Sequence, residues 1–220
     1  MMLEAADLMH DPLVTSFIEQ GNRHLEAIGY TDHGQVHVKM VSRLCREILL
    51  KLGYPERMAE LAAIAGYLHD IGNVINRNGH SQAGALIAWE LLNRMQMPEE
   101  ETAVICSAIG NHDEGNGHPV NPVTAALILA DKSHVHRNRV RNHDVATFDI
   151  HDRVNYAVEY SIINIDEEEK LISMEIAIDT DICPVMEYFE IFMSRMLMCR
   201  RAADALGCEF ELIINGAKLI

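Results

Sequence analysis

The chain has 220 residues, 49% of them apolar, so one large domain with a real core fits without disulfide staples. Thirty-three Asp and Glu against 18 Lys and Arg give a net charge of −15, which disfavours bulk nucleic acid and anionic membrane as partners. No apolar run reaches a membrane span, and MMLEAADLMHDP has neither a basic start nor a long apolar stretch, so no signal peptide is expected.

In chain order, residues 11–28 read as a helix with Leu13, Phe17, Ile18 and Leu25 apolar. Thr31 or Asp32 is placed to cap a second helix running to about residue 52, broken by Gly53-Tyr54-Pro55. Glu56 to His69 reads as a third helix, apolar in its second half and therefore buried. Residues 70–79 read as loop, 80–95 as helix, and Pro98 opens another helix to about Ile109. The turn formers of GNHDEGNGHP (110–119) specify a loop, and Asn121-Pro122 opens a helix through about His136.

The pattern changes after about residue 147. Residues 154–165 and 171–179 read as strands joined by the acidic turn at 166–170, and Pro184 to Leu206 as a helix ending at Gly207. Residues 208–214 alternate as a third strand. The expected fold is mostly α: a helical body over 1–146, then a small ββαβ module over 147–220, offered as a dimer or regulatory surface. The module's sheet edge and the Met-rich helix favour a homodimer. Met186, Met193, Met196 and Met198 read as core or interface filler.

Five cysteines with no CxxC spacing argue against a disulfide framework or zinc knuckle, and most read as core thiols in a reducing cytoplasm. Twelve histidines are the unusual count. His10, His24, His143 and His151 lack a motif and are expected in solvent, and His118 is expected to be structural or to support a ligand. His37 lies in the second helix, His69 and Asp70 end an apolar helix, and His80 starts the next. His112 and Asp113 sit in the polar loop, and Asp131 ends the apolar run AALILA. Ionisable groups at the ends of apolar helices are costly unless they pair or bind metal. Mixed imidazole and carboxylate ligands suit Mn, Fe, Co or Zn.

These residues resemble the HD superfamily of metal-dependent phosphohydrolases, in the order H…HD…D. The likeness spans roughly residues 30–140, with HGQVHVKMV around His37, AAIAGYLHDIGN around His69-Asp70 and AALILADKSH around Asp131. It implies an HD helical bundle and one metal on His37, His69, Asp70 and Asp131. His80 and His112 match the two extra histidines of binuclear members, so Asp70 would bridge to a second divalent ion. His33 and Asp113 are candidates for a further ligand or support. Cyclic-dinucleotide phosphodiesterases of the HD-GYP type show a double His, then Glu, then Gly-Tyr-Pro. Here the stretch reads Asn111-His112-Asp113-Glu114 and then Gly117-His118-Pro119, so their specificity is not carried over.

The implied activity is hydrolysis of a phosphate ester of a nucleotide or other small phosphorylated molecule by metal-activated water. Lys132, with His134, His136, Arg137, Arg139 and Arg141, forms a local basic cluster in an acidic chain. Lys132, Arg137 and Arg141 are the candidate phosphate contacts. Two other readings share the ligand set: a di-iron oxygenase, and a non-catalytic metal-stabilised sensor or scaffold.

Overall fold

In the computed structural model, which describes residues 2–142 and 144–220, helices come first and a small sheet last. Helix α1 (Ala5–Met9) is an addition to the expected elements, and α2 spans Pro12–Ala27. The start of α2 follows from its sequence: Asp11 accepts from Leu13 N at 2.8 Å and Val14 N at 3.0 Å, and Pro12 occupies the first turn. Helix α3 (Gln35–Lys51) presents a buried stripe of His37, Val38, Val41, Cys45, Ile48 and Leu49. Its N-cap is Gly34 and not the expected Thr31 or Asp32, so His33 lies just before the helix. Asp32 still shapes this start, accepting Gly34 N at 3.0 Å.

Helix α4 (Glu56–Leu68) is buried nearly all round in its second half, as its Ala-rich sequence requires. Its crossing with α3 is close enough that a Cβ on Gly66 would lie 2.9 Å from Ser42 Cα, which sets His69 against His37. The loop after it contains a 3-10 turn (Ile71–Val74), and α5 (His80–Arg94) and α6 (Glu99–Gly110) follow. Three glutamates in the first turn of α6 complement its dipole.

Helix α7 (Pro122–Lys132) is capped by Asn121 and ends four residues before the expected His136. Ser133 Oγ donates back to Ala130 O at 2.8 Å, and the turn that follows brings His134 onto His37.

Residues 154–157, expected as strand, form the end of α8 (Ile150–Ala157). Asp149 caps that helix through Asp152 N at 2.8 Å, a local signal that outweighs the apolar run. Strands β1 (Val158–Asp166) and β2 (Leu171–Ile178) form the expected antiparallel hairpin. Helix α9 (Val185–Ala205) crosses over to β3 (Glu209–Ile214), parallel to β2, and a two-residue β4 (Ala217–Lys218) covers the far edge. The sheet order is β1-β2-β3-β4.

One buried apolar cluster runs from Ala5 to Ile214. Met196 and Met198 of α9 are in it, whereas Met186 and Met193 are exposed. Cys45, Cys183, Cys199 and Cys208 are buried free thiols, and Cys106 is half-buried. No helix among the described residues is long and apolar enough to cross a membrane.

Candidate metal centre

Five segments converge on one buried point. Helix α3 brings His37, the end of α4 brings His69 and Asp70, the start of α5 brings His80, the loop after α6 brings His112, and α7 brings Asp131. All except Asp131 are almost fully buried. Three groups have ligand atoms within 4.8 Å of one another: His37, His69 and Asp70; His69, His112 and Asp131; Asp70, His80 and His112.

Asp70 is shared, and its two oxygens face different partners. Oδ2 lies 3.4 Å from His69 Nε2 and 3.7 Å from His37 Nε2, while Oδ1 lies 3.5 Å from His80 Nε2. Asn73 Nδ2 donates to Oδ1 at 2.8 Å and fixes the carboxylate. Asp131 Oδ1 lies 3.4 Å from His37 Nε2 and 3.5 Å from His69 Nε2.

The outer nitrogens set the tautomers. Nδ1 donates to a backbone carbonyl in three rings: His69 to Gly66 at 2.8 Å, His80 to Arg77 at 3.0 Å, and His112 to Ile109 at 2.6 Å. A carbonyl only accepts, so in the neutral ring Nε2 is bare and faces inward. His80 Nε2 and His112 Nε2, both left bare in this way, are 3.2 Å apart. Bare lone pairs at that separation repel unless a cation sits among them. The donor set therefore fits transition-metal ions. His37 differs in that its Nδ1 meets His134 Nδ1 at 2.8 Å, with the rings stacked.

The electrostatics agree. Burial pushes His37 down to about 3, helped by the Arg139 charge, and burial holds His33 and His112 well below the usual imidazole range. Burial also acts to lower His69, yet the Asp70 and Asp131 carboxylates raise it to about 10. For both carboxylates burial opposes ionisation. The positive field overcomes it, from His69 at Asp70 and from Lys132 at Asp131, and both stay well below the usual range. The cluster is built around one or more positive charges.

The remaining candidates fall at different distances. His33 packs edge-on to His37 with ring centroids 5.4 Å apart, its Nδ1 donating to Thr31 O. Asp113 is half-buried beside His112 and belongs to none of the three ligand groups among the described residues. Lys132 is buried between Asp131 Oδ2 at 2.7 Å and Glu114 Oε1 at 3.4 Å. Arg137 pairs with Glu159 at 3.5 Å and lies over the Tyr156 ring. Arg141 pairs with Glu26 and Asp32 and lines a cleft that also reaches His37 and His134. His10, His24 and His151 are exposed, and His143 lies outside the described residues.

A neighbouring cavity joins Arg139 of the basic cluster to Arg77 and Arg195, which the sequence did not single out. Arg77, Arg139, Glu114 and Arg195 line a cavity of about 380 Å³ next to His33. Arg77 stands three residues before His80, but Arg195 is 81 residues from its partner Glu114, with no local signal linking them.

A family model described as HD domain matches residues 35–156. The chain is 25% identical over 131 residues to an uncharacterised protein of Methanocaldococcus jannaschii, covering 50% of this chain and 51% of that protein. It thus spans about half the length of the curated relative it matches. Among solved structures it is similar to a predicted HD superfamily hydrolase from an uncultured Thermotogales bacterium. That likeness has 22% identity and a TM-score of 0.45, over 61% of this chain and 75% of the other.

Proposed function

This chain belongs to the HD-domain family, and from that premise we propose that it hydrolyses a phosphate ester of a nucleotide or other small phosphorylated molecule, using water activated at a divalent metal centre. The observation that carries the reading is Asp70, whose two oxygens face two separate histidine sets in one buried cluster. His37, His69, Asp70 and Asp131 would hold one ion, and Asp70, His80 and His112 a second. Bound there, divalent transition metals would supply Lewis-acid polarisation of the phosphate and a water of lowered pKa.

The chain's own residues do the rest. The backbone carbonyls of Gly66, Arg77 and Ile109 hold three imidazoles with Nε2 inward, so ligands are oriented before any ion arrives. Lys132 neutralises the second oxygen of Asp131 and leaves Oδ1 toward the histidines. Arg77 Nη1 lies 3.7 Å from Asp70 Oδ1, where a cation can offset charge developing on a phosphate.

Elemental analysis of the purified protein, followed by phosphate release from a panel of mononucleotides and sugar phosphates, tests the reading. About two equivalents of Mn, Fe, Co or Zn with phosphate release are expected. Full metal loading with no release from any ester would sink the hydrolase reading. Oxygen uptake by an iron-loaded sample would then point to the oxygenase.

A further inference from the structure

The cavity of about 380 Å³ beside the cluster is lined by residues between 28 and 33, by the family-matched segment and by α9, which lies beyond that segment. Three guanidinium groups line it. Arg139 is buried, and its Nε and Nη1 donate to the carbonyls of Asp32 and His134. Its Nη2 is buried with no partner among the described residues. Arg139 also lines the neighbouring cleft with His37 and Arg141, and an orphaned buried charged donor is a cost that an anion bound beside it removes. Arg195 is braced by Glu114 through Nε at 2.9 Å and lies over Phe192 with its guanidinium carbon 4.2 Å from the ring centre. Arg77 reaches from the other side, 3.4 Å from His80 Nε2, and so joins the cavity to the metal-ligand cluster.

We propose that Arg77, Arg139 and Arg195 form the receptor for a dianionic phosphate monoester whose organic part fills the cavity. This rests on the hydrolase reading above. A monoester presents three terminal oxygens, and three guanidiniums supply charge-assisted donors for them. A diester has one charge and two such oxygens and leaves a guanidinium unmatched. The lining also includes Asp149 and Asp152, which repel a second phosphate, and Asn155, whose amide suits a hydroxyl-bearing substrate. The volume lies at the low end of small-ligand pockets, about 300–1,000 Å³. The substrate class is therefore a singly phosphorylated molecule of sugar or nucleoside size. Because Arg195 comes from α9, the C-terminal segment selects the substrate.

The test uses the metal-loaded full chain, titrated with inorganic phosphate by calorimetry and assayed on mononucleotides, sugar monophosphates and diesters. Arg195→Gln and Arg77→Gln are each expected to weaken phosphate binding and raise KM about 10- to 100-fold. Metal content should stay unchanged, and Arg195→Lys should recover part of the loss. Arg77 is partly exposed, so its variant decides the matter if Arg195→Gln fails to fold. Wild-type phosphate affinity in either folded glutamine variant, no phosphate binding by the wild type, or a preference for diesters would each overturn the receptor. Phosphate binding that both variants weaken, without hydrolysis of any ester, would keep the receptor and remove the hydrolase reading.

Discussion

Asp70 is the residue on which the two halves of the cluster depend. Its Oδ2 faces His37 and His69 and its Oδ1 faces His80, so removing it strips a ligand from both. His80 belongs to one group only. Asp70→Ala is therefore expected to lose both metal equivalents, and His80→Ala to lose about one, read by elemental analysis of folded protein. Equal metal content in the two variants would contradict a shared carboxylate. The same geometry fixes a pH dependence. In the metal-free protein the carboxylates hold a proton on His69, raised to about 10, whereas burial keeps His37 neutral, at about 3. Below about pH 10 metal must displace that proton, so binding releases one proton and apparent affinity rises about tenfold per pH unit from pH 5 to 9. Calorimetry in buffers of different ionisation enthalpy counts the proton. A flat affinity over that range would show His69 already neutral.

Elements place these residues through local chemistry that the sequence states openly in some places and hides in others. Asp11-Pro12 and Asn121-Pro122 announce α2 and α7, and the apolar stripe of α3 places His37 inward, so the helical body and the six clustered residues can be read from the chain. Boundaries set by a single side chain are harder to read. Gly34 rather than Thr31 or Asp32 starts α3, Ser133 stops α7 early, and Asp149 turns 154–157 into helix. Contacts over long sequence distance cannot be read at all. Arg195 of α9, which packs on α7, meets Glu114 across 81 residues, and Glu114 reaches Lys132 from the loop after α6. The approach of the 3-10 turn to α5 is the tightest placement. A Cβ on Gly72 would overlap the His80 carbonyl oxygen and lie 2.5 Å from Gly84 N, both backbone atoms that no side-chain motion relieves. Gly72→Ala is expected to cost about 2–3 kcal/mol of stability and to push α5 outward. Denaturant melts should show the loss, and elemental analysis should show reduced metal content. A variant with wild-type stability and two bound ions would mean that α5 yields freely.

At the scale of the whole molecule, the candidate metal ligands come from α3, the end of α4, α5, α7 and the loop after α6, so ions held there would tie together helices distant in the chain. The apolar cluster continues without interruption into Val154, Ala157, Val158, Phe192 and Met198, beyond the boundary expected at residue 146. Helix α9 also reaches the cluster through ion pairs, from Arg195 to Glu114 to Lys132 to Asp131. Stability added at the metal centre should therefore be felt by the C-terminal sheet. An ion at about a hundred times its Kd stabilises the native state by about 2.7 kcal/mol. For a chain of this size each kcal/mol moves Tm by about 2–4 °C, so loss of one such ion should lower Tm by about 5–11 °C and chelation of two by about twice that. Because the core is shared, calorimetry should show one transition that shifts as a whole when metal is removed. Two transitions, only one of them sensitive to chelator, would instead mean that the sheet and α9 fold independently of the metal-bound helices, and would leave the Arg195 link too weak to couple them.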